Sequence, residues 1–263
     1  MASSKTDWRR VLYLLSENVQ AGIRDAMPRK QSMAAPRFKQ LLDQVAQQAI
    51  VDALRGSEAS VRLVSEEGDH LFGGGAFTLV ADPVDGSTNL SRGLRPAATS
   101  LSISETATQG GVVAGIVSDL YTGETYYAER GRGATLDGRP IRVAQQKEYG
   151  RALISIDVSK GPRLELTRRL IEESSHLRSE GCSSMSLCHV ASGSLDAHID
   201  IRGIVRATDV SAALLVLKEA GGVYTVDGAP GGDFRLTRQT RMALVAATSQ
   251  GLLDEITGLM GQP

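Results

Sequence analysis

An apolar run, Phe77–Ala81, ends in two aspartates, Asp82 and Asp85, set apart by Pro83 and Val84, and then breaks into Gly86-Ser87-Thr88-Asn89. That order asks for a strand, a proline-stiffened turn and the opening of a helix in one short stretch. Two carboxylates three residues apart at a strand's end can converge on one hard cation. Magnesium prefers oxygen ligands and keeps several waters, which leaves room for phosphate oxygens. The Gly-Ser-Thr amides at the helix start are suited to holding an anion. Taken alone, the same residues also make an ordinary surface turn. The Asp-x-Asp-Gly-Thr signature of haloacid-dehalogenase phosphatases does not fit, because two residues separate the aspartates here and the first is followed by Pro83.

The rest of the chain changes period twice. Trp8, Val11, Leu12, Leu15, Val19 and Ile23 recur at helical spacing up to Pro28, and Leu41, Leu42, Val45, Ala46, Ala49, Ile50 and Leu54 do so up to Gly56. The basic stretch 28–37 between them, with its two prolines, reads as a mobile loop. From residue 61 the pattern is short β-rich runs: Val61–Val64, Phe77–Ala81, Leu101–Ile103, Val112–Val117, Glu124–Ala128, and two strands in 128–143 turning at Asp137-Gly138. The first half is therefore α+β, two helices over an antiparallel sheet. After Gly150 strands and helices alternate: strand Ala152–Val158, helix Arg163–His176, helix Ser183–Ala191, strand Leu195–Ile199, helix Asp209–Ala220, strands Val223–Val226 and Ala243–Ala247, helix Gln250–Leu259. Alternation predicts an α/β second half. The expected organisation is an N-terminal half, 1–148, carrying the metal site, and a C-terminal half, 149–263, carrying specificity elements and sharing an interface with the first.

Composition removes several classes of function. With 263 residues there is core enough for one large domain or two fused halves. A net charge of -1 from 29 basic and 30 acidic side chains argues against a nucleic-acid binder. No apolar run approaches the ~20 residues that span a bilayer, and MASSKTDWRR lacks the apolar segment of a secretion signal, so a cytoplasmic protein without membrane partners is expected. Cys182 and Cys188 make neither a disulfide framework nor a zinc site and read as buried hydrophobes. His70, His176, His189 and His198 show no zinc spacing.

Two further acids fit the motif. Glu66 follows the strand Val61–Val64, and Asp209 opens the helix in 207–222, with Thr208 as its expected N-cap. On its own Asp209 would be a helix-capping acid. The Glu66-Glu67 pair, DPVDGST at 82–88, and Thr208-Asp209 leading to EAGG at 219–222 together resemble the inositol monophosphatase superfamily, which includes the archaeal-type class IV fructose-1,6-bisphosphatases. YYAERGRGA (126–134) and RSEGCSSMSLCHVASGSLDAHID (178–200) extend the resemblance over most of residues 40–250.

The resemblance implies a layered α-β-α-β-α sandwich and a Mg²⁺-dependent phosphomonoesterase for inositol 1-phosphate or fructose 1,6-bisphosphate. Two or three Mg²⁺ ions would be held by Glu66, Asp82, Asp85, Asp209 and the Val84 carbonyl, with Glu67 a solvated neighbour. Ser87 stands where the family has threonine and, with Asp43 and Glu66, would act on the attacking water. Phosphate would rest on the amides of Gly86, Ser87 and Thr88, beside Asp85; Gly181, Cys182, Ser183 and Asp200 would meet the rest of the substrate. Arg178, Arg202 and Arg206 are candidates for a second phosphate. A homodimer or dimer of dimers is expected. The family's Trp before the late Asp is Thr208 here, and its Asp-x-Val-Thr segment is replaced by PRFKQLLD, which brings Arg37 and Lys39 close to Asp43. Alternatives from the same superfamily are a regulatory protein acting through RNA polymerase or RNA and a 3′-phosphoadenosine nucleotide phosphatase.

Overall fold

The computed structural model describes residues 6–145, 147–160 and 164–260. Helix α1 (Trp8–Ala26) is capped by Asp7, whose carboxylate accepts the Arg10 N–H, and buries Leu12, Leu15, Val19 and Ile23. Helix α2 (Ala35–Arg55) buries Phe38, Leu42, Ala46, Ile50 and Leu54. Both stripes follow the three- and four-residue spacing of an amphipathic helix. The stretch expected to be a mobile loop is a 3₁₀ turn, Met27–Ser32, joined by two extended residues, Met33 and Ala34, to the first turn of α2. Pro28 ends α1 as expected, and both prolines stand at the start of the next turn, where a missing N–H costs nothing.

The first sheet contains β1 (Val61–Ser65), β2 (His70–Phe72), β3 (Phe77–Asp85), β4 (Ala98–Ser104), β5 (Val112–Asp119), β6 (Thr125–Glu129), β7 (Ala134–Leu136) and β8 (Arg139–Ile141) in the order β2-β1-β3-β4-β5-β6-β7-β8. A short helix, α3 (Ser87–Arg92), follows β3. All neighbours are antiparallel except β1 and β3, which run parallel, so the sheet is mixed where an antiparallel one was expected. Asp137 and Gly138 both take positive φ at the β7–β8 turn, the geometry of a tight hairpin.

The second sheet uses β9 (Leu153–Ile156), β10 (His176–Arg178), β11 (Ala197–Arg206), β12 (Val223–Val226), β13 (Ala229–Pro230) and β14 (Arg241–Ala247), ordered β10-β9-β11-β14-β12-β13. Its helices are α4 (Leu164–Glu172), α5 (Ser183–Ala191), α6 (Ala207–Glu219) and α7 (Gln250–Met260). The helix expected over 163–176 stops at Glu172 because His176–Arg178 pairs in parallel with Leu153–Ser155; its expected start, Arg163, lies outside the described residues.

Five layers result. Helices α1 and α2 cover one face of the first sheet, α5 and α6 fill the space between the sheets, and α4 and α7 cover the second sheet's outer face. The composition of α6 explains its place: every residue from Ala207 to Leu217 is buried, as a helix without a polar face requires. Small residues let it approach the first sheet. A Cβ on Gly115 of β5 would lie 3.0 Å from the Ala212 carbonyl oxygen of α6. Among the described residues no helix is long and apolar enough to cross a membrane.

His198 on β11 is fully buried, and neither ring nitrogen has a hydrogen-bond partner. Burial holds its pKa below the ordinary value, against the pull of Asp157 and Asp200. The unfolded chain therefore takes up a proton that the folded chain refuses, and stability is lost as pH falls below about 6.5. His198→Leu is expected to lose less melting temperature between pH 7.5 and pH 5.5 than the parent, measured by thermal denaturation. Parallel pH profiles would show that His198 does not govern this slope.

Candidate active site

The Asp-Pro-Val-Asp segment is the last stretch of β3 and not a turn beyond it. Asp82 pairs with Ser100 and Asp85 with Ala98, with a register shift between them. Pro83 supplies no N–H to the ladder, so the strand bulges there, and the Thr99 hydroxyl donates to the Pro83 carbonyl at 2.9 Å. The Val84 N–H turns onto Asp82 Oδ1 at 3.0 Å. Gly86 follows at φ 78°, and a Cβ there would stand 2.9 Å from the Pro96 carbonyl, so glycine is needed for both reasons. Asn89 of α3 then pins two loops, donating to the carbonyls of Pro96 (3.0 Å) and Glu180 (2.8 Å).

Three elements bring acids to this bulge. Glu66 follows β1 in a turn that Gln47 of α2 braces through Ser65 and Gly68. Asp82 comes from β3, and Asp209 from the first turn of α6. Carboxylate oxygens of Glu66, Asp82 and Asp209 all lie within 4.8 Å of one another. Asp85 faces differently: its Oδ2 accepts the Ser184 N–H (2.8 Å), the Ser184 hydroxyl (2.7 Å) and the Cys182 thiol (3.3 Å) at the start of α5. Thr208 is not the N-cap of α6; Arg206 holds that position, and the Thr208 hydroxyl donates to Asp209 Oδ1 at 3.0 Å.

Burial sets the charge state. Asp82 is 1% exposed, and its Oδ2 has no partner. Burial first, then Asp209 and Asp85, pushes its carboxyl far above the usual range. Burial and Asp209 push Asp85 up to about 7 despite its hydrogen bonds to Ser184 and Cys182. An orphaned, buried carboxylate oxygen amid like charges is what a cation would satisfy, and an all-oxygen donor set suits a hard divalent ion.

Glu66, Asp85 and Asp209 open onto a cavity of about 510 Å³, while Asp82 is buried outside its lining. Its wall includes Gly86, Ser87, Thr88, Gly181, Ser183, Asp200, Arg202 and Arg206, all singled out from sequence. Other expected residues stand elsewhere. Arg178 is exposed and donates to its neighbour's carbonyl on Leu177, outside the lining. Cys182 is buried behind Asp85. Asp43 is held by Lys39 at 2.6 Å, and Lys39, not Asp43, reaches the cavity. Arg202 spends its donors within the protein: Nε and Nη2 on Asp200 (2.8 and 2.5 Å) and Nη1 on the Ser159 carbonyl (2.8 Å). Ser184, Asp157, Lys160 and Arg241 were not anticipated. Nothing marks Ser184 within α5 until its contact with Asp85, ninety-nine residues away in sequence, is formed.

The sequence pattern of the inositol monophosphatase family matches residues 11–257. The chain belongs to that family. It is a phosphatase of a metal-dependent kind, and its acidic cluster is a site where a metal can be held. The fructose-1,6-bisphosphatase/inositol-1-monophosphatase of Thermococcus kodakarensis is 33% identical over 83% of this chain and 81% of its own length. The Nus factor SuhB of Pseudomonas aeruginosa is 32% identical over 70% of each. A crystal structure of an inositol monophosphatase–fructose 1,6-bisphosphatase superposes with a TM-score of 0.84 at 25% identity, covering 97% of this chain and 100% of that one.

Within this family site, the Arg202 guanidinium answers two buried acids: Asp200, fully buried, and Asp157, 3.6 Å away. Removing one partner of such a pair costs about 3–5 kcal/mol. Arg202→Ala is expected to lose stability on that scale in urea unfolding, while Arg178→Ala at the exposed strand edge stays within about 0.5 kcal/mol of the parent. A near-neutral Arg202→Ala would show that its ion pairs are dispensable to the fold.

Proposed function

We propose that this chain is a Mg²⁺-dependent phosphomonoesterase acting on inositol 1-phosphate, fructose 1,6-bisphosphate or both. The observation that carries the reading is the gathering of Glu66, Asp82 and Asp209 into one cluster, of which Glu66 and Asp209 share a cavity wall with the Gly86–Thr88 segment. Those three acids, with Asp85 and the Val84 carbonyl from the same bulge, would hold the metal. Bound there, Mg²⁺ supplies charge neutralisation for the phosphate and acidifies water near neutral pH. The protein does the rest by positioning. The amides of Gly86, Ser87 and Thr88 bind phosphate oxygens. The Ser87 hydroxyl orients the water that attacks phosphorus, whereas Asp43, the early-helix acid expected to act on that water, is paired with Lys39 at 2.6 Å outside the cavity lining. Gly181, Ser183 and Asp200 face the alcohol portion of the substrate, and Arg202 fixes the Asp200 carboxylate in place.

The similarity to Nus factors supports a second reading, a regulatory partner of RNA polymerase or RNA. The acid cluster favours hydrolysis, since surface docking has no use for a buried, unpartnered Asp82 oxygen. The test is phosphate release from inositol 1-phosphate, fructose 1,6-bisphosphate and 3′-phosphoadenosine 5′-phosphate, with Mg²⁺ and with chelator. Release is expected from at least one of the first two, only with Mg²⁺. Asp82→Asn and Asp209→Asn should each fall by about a hundredfold or more while remaining folded by circular dichroism, because neutral amides hold Mg²⁺ poorly. Near-parent turnover by either variant at saturating Mg²⁺ would overturn the assignment.

A further inference from the structure

Arg206 stands where β11 hands over to α6, and its guanidinium lies among the three gathered carboxylates. Nε donates to both oxygens of Asp209, at 2.9 and 3.2 Å, and Nη1 donates to Glu66. Nη2 comes only to 4.0 Å of Asp82 Oδ2, the same oxygen that is buried without a partner. The arginine thus satisfies two acids of the cluster and leaves the third short.

We propose that Arg206 is a built-in counter-cation of the acid cluster, which a divalent ion must displace, so that metal loading of this site is an exchange of one cation for another. The inference rests on the reading of Glu66, Asp82 and Asp209 as metal ligands and adds what this chain does to their affinity.

Three arguments carry it. The guanidinium engages the same oxygens that a metal would need, and both cannot hold them at once. Arginine stays charged at any working pH, so it cannot leave by losing a proton and must move. It also has room to move. It is 29% exposed and lines the open cavity, and it is the last residue of a strand whose pairing slips between Asp200 and Val205, beside Gly203 at φ 71°. The competition has a direction. A flat guanidinium reaches two of these carboxylates, while a compact divalent ion can take oxygens from all three, including the orphan on Asp82.

The exchange makes two opposed demands. Without metal, Arg206 offsets repulsion among close, poorly hydrated acids and supports the fold. With metal, it is a like charge that weakens binding. A substitution should therefore separate stability from affinity, which loss of an ordinary structural residue would not do.

The experiment uses chelator-treated, desalted protein without substrate, titrated with Mn²⁺ by electron paramagnetic resonance and with Mg²⁺ by calorimetry. Arg206→Met keeps the bulk of the stem and removes the charge. It is expected to bind both ions about tenfold more tightly or better, and to melt lower than the parent in chelator, with the gap closing in saturating Mg²⁺. Arg206→Lys keeps a charge on a head that lacks the fork bridging Asp209 and Glu66, and should bind more tightly than the parent but less tightly than Arg206→Met. If Arg206→Met does not fold without metal, Arg206→Lys against the parent decides the question by the same criterion. Equal or weaker metal binding by the folded variants would overturn the exchange. Failure of parent and variants alike to bind either ion would instead overturn the reading of the cluster as a metal site.

Discussion

Repulsion among carboxylates in a place that water barely reaches is the constraint on which this structure turns. Four acids, Glu66, Asp82, Asp85 and Asp209, come together from the end of β1, from β3 and from α6, and the three aspartates are buried. Such a group holds only if each acid is answered individually. Asp82 takes the Val84 N–H of its own bulge. Asp85 takes the start of α5 through Ser184. Asp209 lies in the first turn of α6, where the helix dipole favours negative charge, and also takes Arg206. One oxygen, Asp82 Oδ2, is left over, and it marks the place where the protein alone does not complete its own electrostatics.

The same rule governs the far side of the cavity, with a different result. Asp200 and Asp157 are also buried, but Arg202 closes on Asp200 with short, bidentate geometry and stands 3.6 Å from Asp157, to which Ser179 adds a hydrogen bond at 3.1 Å. Neither of these two acids leaves a buried oxygen without a partner. Arg202 and Arg206 sit four residues apart on one strand, yet the first is locked by matched partners and the second straddles a cluster too acidic for one guanidinium. Sequence spacing treats them alike, and only the count of facing carboxylates separates them.

That difference shows what was legible in the sequence. The five layers followed from periodicity and from the resemblance carried by DPVDGST and the late Thr208-Asp209, because each rests on local order or on a fixed spacing. Glu66, Asp82 and Asp209 were legible for the same reason. What escaped was set by partners far away in the chain. The parallel pairing of β1 with β3, the strand at His176–Arg178, the grip of Ser184 on Asp85 and the saturation of Arg202 depend on tertiary neighbours that no window of sequence displays. The prolines at 28 and 36 misled in the opposite sense. Pro28 does end α1, as expected, but it also opens the 3₁₀ turn, and Pro36 opens α2, so neither leaves a loop behind it.

The central helix ties these threads together. Helix α6 is apolar on every side because it lies between two sheets, and that burial is what fixes its first turn against the β3 bulge. Ser100 donates to the Asp209 carbonyl and Ser102 shares a hydrogen bond with Ser211, so the turn that carries Asp209 is stitched to β4 by groups outside the acid cluster. A volume change at Gly115 or Ala212, deep between the layers, therefore acts on Asp209 by moving the helix that carries it. Packing in a close-filled interior is transmitted and not absorbed. The site inherits its precision from the core, and the apolar interior of this chain is part of its chemistry for that reason.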